Sequence, residues 1–322
     1  MKLLKNKWLI LFIVLSILLS VSFGVGNYFV NYALSPASDS DQRNVEDDVE
    51  PSDKDQITIT SHKAEENKKG KQFQKTLYTM NIAVDTDIIV EGKYKEHKGQ
   101  HNWVILVHGY KSSNRSMMSY GAQYYQQGYN VLLPDNRAHG DSEGDYIGMG
   151  WLDKDDIACW IDWIVEKDKD ARIIVHGVSM GGATTMMLSG DNNKYVIGYI
   201  EDCGYTSVWD IFASELDKRF SLPTFPVLDI SNIVAQMKVG YSFKEASSIE
   251  QVKKCQKPML FIHGGKDDFV PTSMVYEVYE AATCIKDIYI VEQAGHAEAK
   301  DYNPQAYWNK VFDFIDKNIL KN

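Results

Sequence analysis

A short apolar strand that runs straight into Gly177-Val178-Ser179-Met180-Gly181 and out into a helical segment constrains this chain more than any other stretch. The β-branched run Ile173-Ile174-Val175 supplies the strand, and Gly182-Ala183-Thr184-Thr185-Met186-Met187-Leu188 supplies the helix. In that setting G-x-S-x-G is a sharp strand-to-helix turn. The glycines sit where side chains find no room, and the serine accepts a strained backbone that points its hydroxyl into the open. The same pentapeptide in a surface loop would be a flexible turn and nothing more.

A serine hydroxyl is a poor nucleophile until a base takes its proton, so a histidine and a carboxylate should follow beyond later strands. Lys257 to Gly264 reads as a buried strand that ends in the loop Gly265-Lys266-Asp267-Asp268-Phe269-Val270-Pro271. Ile288 to Val291 is another strand, and Glu292-Gln293-Ala294-Gly295-His296 follows it. Ser179, Asp267 and His296 are therefore expected beyond three strands at one edge of a parallel sheet. Asp268 is the alternative to Asp267, since only one of the neighbours can face the histidine; either could instead be a solvated turn carboxylate. The oxyanion of a tetrahedral intermediate needs donors as well. The strand Asn102 to Val107 delivers His108-Gly109-Tyr110, so the Tyr110 amide is one candidate, and the Met180 amide at the positive end of a helix is the other.

With these motifs in hand the chain resembles the α/β-hydrolases, and more narrowly the bacterial serine esterases and lipases related to the serine aminopeptidase (S33-like) group. The resemblance covers about residues 75 to 320 and is carried by five motifs in order. They are His108-Gly109, Asp135-Asn136-Arg137-Ala138-His139-Gly140-Asp141-Ser142, the serine pentapeptide, His263-Gly264-Gly265-Lys266-Asp267 with Val270-Pro271, and Gly295-His296. It implies Ser179 as nucleophile, His296 as base and Asp267 as acid, on an α/β fold whose mostly parallel central sheet carries helices on both faces. Asn136 departs from the residue many relatives carry, with no effect assigned. In the same segment Arg137 and His139 resemble an anion site or a metal pair, but a tight loop held under the active-site face is the better reading. The chemistry calls for no cofactor and no metal.

Strands alternate with helical segments expected at 117–127, 154–167, 180–188, 272–281 and 304–319. In the second, Ile157, Trp160, Ile161 and Ile164 form an apolar stripe that belongs in a core, with Asp153, Asp155 and Asp156 at its N-terminus. The connection at about 205–256 exceeds a minimal crossover. It reads as a short helical cap in which Phe220, Leu222, Phe225 and Leu228 meet an acyl chain, or else as a crossover helix with a decorated loop. Tyr205 is expected at the pocket's border.

The N-terminus divides into a basic end at 1–7 with Lys2, Lys5 and Lys7, an apolar segment at 8–30, and a flexible acidic then basic linker at 31–74 ahead of the hydrolase domain at 75–322. No charge interrupts Trp8 to Leu34, and the lysines favour a cytoplasmic N-terminus. A single-pass signal-anchor with the hydrolase domain outside the cytoplasm is expected; the rival is a secretion signal cleaved near Ser35 or Ala37. Asp39, Asp41, Glu46, Asp47, Asp48, Glu50, Asp53 and Asp55 make the linker acidic.

Cys159, Cys203, Cys255 and Cys284 have no metal spacing, and although two disulfides could form outside a cell they read mostly as buried free thiols. A net charge of −10 argues against nucleic-acid binding. The expected activity is hydrolysis of short- to medium-chain acyl or lipid esters. The alternatives are a serine aminopeptidase or amidase acting on small peptides, acyl transfer to a lipid alcohol, and a binding protein that keeps the fold without turnover. Acyl length and oligomeric state are not written in these motifs.

Overall fold

The computed structural model describes residues 2–36, 54–85 and 88–321. Helices α1 (Lys2–Leu34) and α2 (Lys54–Gln74) precede an antiparallel hairpin, β1 (Tyr78–Val84) and β2 (Ile88–Lys95). Then follow β3 (Asn102–Val107), α3 (Met118–Gln126), β4 (Asn130–Pro134), α4 (Asp153–Lys167), β5 (Arg172–Val178), α5 (Met180–Ser189) and β6 (Val196–Asp202). Helices α6 (Val208–Phe220), α7 (Thr224–Lys238) and α8 (Ser248–Val252) fill the long connection to β7 (Met259–Gly264). The chain ends with α9 (Ser273–Ala281), β8 (Lys286–Val291), α10 (Ala299–Tyr302) and α11 (Pro304–Phe314), which closes in a π-helical turn at Ile315–Ile319.

The eight strands lie in the order β1-β2-β4-β3-β5-β6-β7-β8. From β4 to β8 every neighbouring pair is parallel, and β2 joins the sheet antiparallel to β4. Period-two alternation sorts the strand side chains into two cores. Trp103, Ile105 and Val107 of β3 pack with α4 and α9, whereas Val104 and Leu106 pack with Met118, Tyr120 and Tyr124 of α3 and Tyr307 and Trp308 of α11. The α4 stripe of Ile157, Trp160, Ile161 and Ile164 is buried as its spacing implies. This is the mostly parallel sheet with helices on both faces that the motifs imply. The β1–β2 hairpin at its edge is an element the motif order does not contain.

A third core lies over the C-terminal edge of the sheet, between α6, α7, the loop at 146–149 and the end of α1. Two expectations change here. No residue of α1 from Lys7 to Val25 is buried, whereas Gly26, Val30 and Leu34 are buried against the cap, so the helix expected at 8–30 runs through Leu34 as part of the folded body instead of giving way to a linker at 31. Close approach explains it: a Cβ on Gly26 would sit 2.8 Å from a Val234 methyl and 2.9 Å from an Ile230 methyl. The far half of that linker is also a helix. Ile59, Glu66, Gly70 and Phe73 lie on one face of α2, with Ile59 buried, Gly70 against Met118 and Ser119, and Phe73 against Tyr125. So few apolar residues on a charged helix leave little trace in composition. The acidic residues from Asp39 to Asp53 lie outside the described residues.

The cap is present, but its four aromatic and aliphatic candidates divide. Phe220 and Leu228 face inward, while Leu222 and Phe225 point to solvent, Phe225 at 74% exposure. Ser221 ends α6 in the left-handed region (φ 52), which turns the following residues outward. The four cysteines are unbridged; Cys203 and Cys255 are buried, Cys159 and Cys284 partly so.

Candidate active site

The end of β5 shows why glycine flanks the serine. A Cβ on Gly177 would lie 1.9 Å from the Gly181 carbonyl oxygen, and one on Gly181 would lie 2.0 Å from the Val107 carbonyl oxygen. Strand and helix can approach this closely only without side chains. Ser179 between them takes φ 59 and ψ −119, a strained conformation for a residue with a Cβ. Its amide donates to the Asp202 carbonyl at 2.8 Å, which ties the turn to the end of β6.

From that turn the Ser179 Oγ lies 2.8 Å from His296 Nε2, and His296 Nδ1 lies 2.8 Å from Asp267 Oδ2. The three residues come from the ends of β5, β7 and β8, as their order in the chain implied. Asp267, and not its neighbour Asp268, faces the histidine; the Asp268 carbonyl, in an exposed turn, accepts from Lys218. The Asp267 Oδ1 atom accepts from the amides of Phe269 and Val270 at 2.9 and 2.8 Å, which fixes the carboxylate plane. Nδ1 of His296 must carry the proton it shares with the carboxylate, and that leaves Nε2 as the acceptor toward the serine.

Behind Asp267 stands His263, which the motif contains but to which it gave no role. His263 Nε2 is 3.0 Å from the Val270 carbonyl and 3.3 Å from Asp267 Oδ2, so Asp267 lies between two imidazoles. Burial by itself would raise the Asp267 carboxyl, but hydrogen bonds from His263 and His296, and their charge, hold it well below the usual carboxylate range. Burial opposes the charge on His263 too, yet the Asp267 hydrogen bond and the Val270 carbonyl outweigh it and raise the imidazole. The signal for His263 was its place in His263-Gly264, a second His-Gly pair after a buried strand like His108-Gly109.

The loop of Tyr110 is held by neutral histidines. His108 Nε2 accepts from the Asn136 amide at 3.0 Å and its Nδ1 donates to the Gly109 carbonyl at 2.8 Å. His139 Nε2 accepts from the Lys111 amide at 3.0 Å. Burial, with His139 nearby, pulls His108 down to about 3, and burial pulls His139 down to about 4. Asn136, left without a role by the sequence, also donates from its side chain to the His108 carbonyl at 3.1 Å. Arg137 grips Asp156 through two hydrogen bonds of 2.7 and 2.6 Å, both partners buried. The Asp135 to Ser142 segment is thus a loop brace, as the sequence reading had it.

Ser179 opens into a cavity of about 520 Å³ lined by Tyr110, Met180, Tyr205, Leu216, Phe243 and Phe269 among others. Tyr205 borders it as expected, with its hydroxyl donating to the Met149 carbonyl at 2.9 Å. The Gly109 backbone lies against the serine: a Cβ there would be 3.2 Å from Ser179 Cβ. Glu201 and Asp202 are not among the lining residues. Both are fully buried, and burial pushes them up to about 8 and about 6. Part of the cavity wall was missed altogether, because it is Phe29, Asn31, Tyr32, Ala33, Ser35 and Pro36 from the end of α1. Its trace in the sequence is excess length, a run of 27 residues from 8 to 34 without a charge where about 20 would cross a bilayer.

The uncharacterized protein YqkD of Bacillus subtilis (strain 168) is 30% identical to this chain over 247 residues, which is 76% of this chain and 80% of YqkD. The family described as Serine aminopeptidase, S33, matches residues 99–215. This chain belongs to the α/β-hydrolases. In the hydrolase the matched stretch spans the Tyr110 loop and the serine turn and ends within α6. Among solved structures it superposes on the Pyrococcus furiosus esterase Pf2001 with a TM-score of 0.61 and 22% identity over 76% of this chain and 93% of that one. It also superposes on a membrane phospholipase A with a TM-score of 0.55 and 15% identity over 81% of this chain and 91% of the other. Fold, family and the Ser179–His296–Asp267 arrangement together make the chain a serine hydrolase.

Proposed function

We propose that the hydrolase cleaves carboxylic esters, short- to medium-chain acyl or lipid esters, through an acyl-enzyme on Ser179. The observation that carries the reading is the character of the cavity. Its walls are mostly aromatic and aliphatic, and Glu215, the one carboxylate among the described lining residues, is paired with Arg219. A peptide's ammonium group would find no free acid there, whereas an acyl chain finds apolar surface.

In the proposed reaction Ser179 Oγ attacks the carbonyl carbon while His296 Nε2 takes the hydroxyl proton, and Asp267 stabilises the imidazolium that results. The negative oxygen falls to the amides of Tyr110 and Met180. In favour of this assignment, Tyr110 follows the Gly109 backbone that abuts the serine, and Met180 opens α5, whose N-terminus is the positive end of its dipole. His296 then gives its proton to the leaving alcohol. A water attacks the acyl-enzyme by the same route and releases the acid.

A serine aminopeptidase or amidase is the second reading, favoured by the description of the matching family. We place the hydrolase domain outside the cytoplasm on an uncleaved α1, a helix long and apolar enough to cross a membrane. Cleavage near Ser35 would remove buried residues from the cap core, and this supports the anchor over a secreted form. The test is turnover by the full chain of matched acyl esters and aminoacyl amides, with Ser179→Ala as control. Serine-dependent ester turnover that exceeds amide turnover is expected; the reverse preference would move the assignment to peptidase.

A further inference from the structure

Helix α1 has two halves with different surroundings. No residue from Trp8 to Val25 is buried, whereas Val30 and Leu34 are wholly so. The exposed half has 18 residues, about 27 Å of helix, against a hydrocarbon core of about 30 Å. Trp8 and Tyr28, both exposed, stand 20 residues or about 30 Å apart, the spacing of aromatic residues at the two surfaces of a bilayer. With α1 spanning a bilayer as proposed, the docked half begins where the bilayer ends.

This docked half is built into the hydrolase. The last carbonyls of a helix lack partners within it; here Ala33 accepts from the Tyr110 hydroxyl at 2.7 Å and Leu34 from the Ile147 amide at 2.8 Å. Lys238 Nζ donates to the side chains of Asn27 and Asn31 at 2.7 and 2.9 Å. Phe29 and Tyr32 both pack edge-on against Phe220 and line the cavity that holds Ser179. With α1 as the membrane anchor proposed above, one turn of helix lies at the membrane surface and forms part of the wall of the reactive pocket. Close by, the cap exposes Leu222, Phe225, Ile233 and Met237, apolar side chains that suit a leaflet surface more than water.

We propose that the pocket is filled from the leaflet in which α1 ends: the substrate is an acylated amphiphile resident in that membrane, and Phe29 and Tyr32 are wall residues that set acyl-chain selectivity. This rests on the ester-hydrolase reading and names its substrate class. The bond cleaved is the acyl ester, with water supplying the hydroxyl of the released acid and the alcohol keeping the headgroup. A soluble peptide would gain nothing from a pocket so placed.

Two measurements test it, both on the full chain in phospholipid nanodiscs. In the first, Ser179 is labelled with ethyl and dodecyl fluorophosphonates, which report the pocket whatever the leaving group. The dodecyl-to-ethyl rate ratio should fall about tenfold in the Phe29→Ala, Tyr32→Ala double variant and stay at the wild-type value in Phe12→Ala, on the lipid-facing half. An unchanged ratio in the double variant would overturn the wall assignment, and failure of both probes to modify Ser179 would overturn the serine reading beneath it. In the second, the wild type is given a lysophospholipid either in its own disc or in separate vesicles. Release of fatty acid at least about tenfold faster from its own disc is expected. Equal rates, or ester turnover confined to water-soluble esters, would overturn the leaflet source while leaving the ester-hydrolase reading intact; amide turnover alone would remove that reading.

Discussion

The Nε2 nitrogen of His263 lies 3.3 Å from the same Asp267 oxygen that pairs with His296 at 2.8 Å. Asp267 is therefore positioned from behind as well as from the Phe269 and Val270 amides. Replacing His263 with alanine should lower kcat about tenfold with KM nearly unchanged, a smaller loss than the roughly 10²–10⁴ expected for removing the base itself. Steady-state kinetics of His263→Ala beside His296→Ala decide it; equal losses would place His263 nearer the reaction than its geometry does.

His263 should also show in the pH dependence of stability. Its pKa in the folded chain is raised above the unfolded value, so the folded state holds the proton more tightly. The stabilisation it brings is fully present below the unfolded pKa and is lost as pH rises through the folded one. The Tm difference between wild type and His263→Gln should be larger at about pH 5.5 than at about pH 9. A difference that grew with pH would contradict the assigned direction.

Strain at Ser179 predicts a trade between activity and stability. Glycine adopts φ 59 without a Cβ penalty, so Ser179→Gly should be inactive and more stable than Ser179→Ala by about 1 kcal/mol. Thermal melts of the two inactive variants are the check. Equal Tm values would mean the turn is not strained in solution.

Much of this site is legible in the sequence because strand-end motifs have fixed consequences. Gly177 and Gly181 announce a backbone crossing, and Asp267 and His296 sit in loops after the neighbouring parallel strands β7 and β8, so their meeting follows from parallel order. What escaped was set by tertiary contact. Phe29 and Tyr32 belong to a run whose composition speaks only of a membrane, and their place in the pocket depends on Gly26 meeting Ile230 and Val234. The α2 helix was hidden by its charge, since Ile59 and Phe73 are sparse anchors on a polar surface. Leu222 and Phe225 looked like pocket residues by type, and the left-handed Ser221 turned them away.

The buried pair of Arg137 and Asp156 should behave as a unit. Arg137→Met alone leaves a buried carboxylate without its partner and should cost about 3–5 kcal/mol, while Asp156→Leu added to it should recover most of that loss. A double-mutant cycle by denaturant unfolding measures the coupling. Additive losses would show that the pair does not brace the loop.

Ser179 is the proposed nucleophile, driven by His296. Intact-protein and peptide mass spectrometry after a fluorophosphonate pulse tests it most directly. One adduct is expected, on the peptide that carries Ser179, absent in Ser179→Ala and formed at least about 10²-fold more slowly in His296→Ala. An adduct that persists in Ser179→Ala, or a rate indifferent to His296, would contradict it.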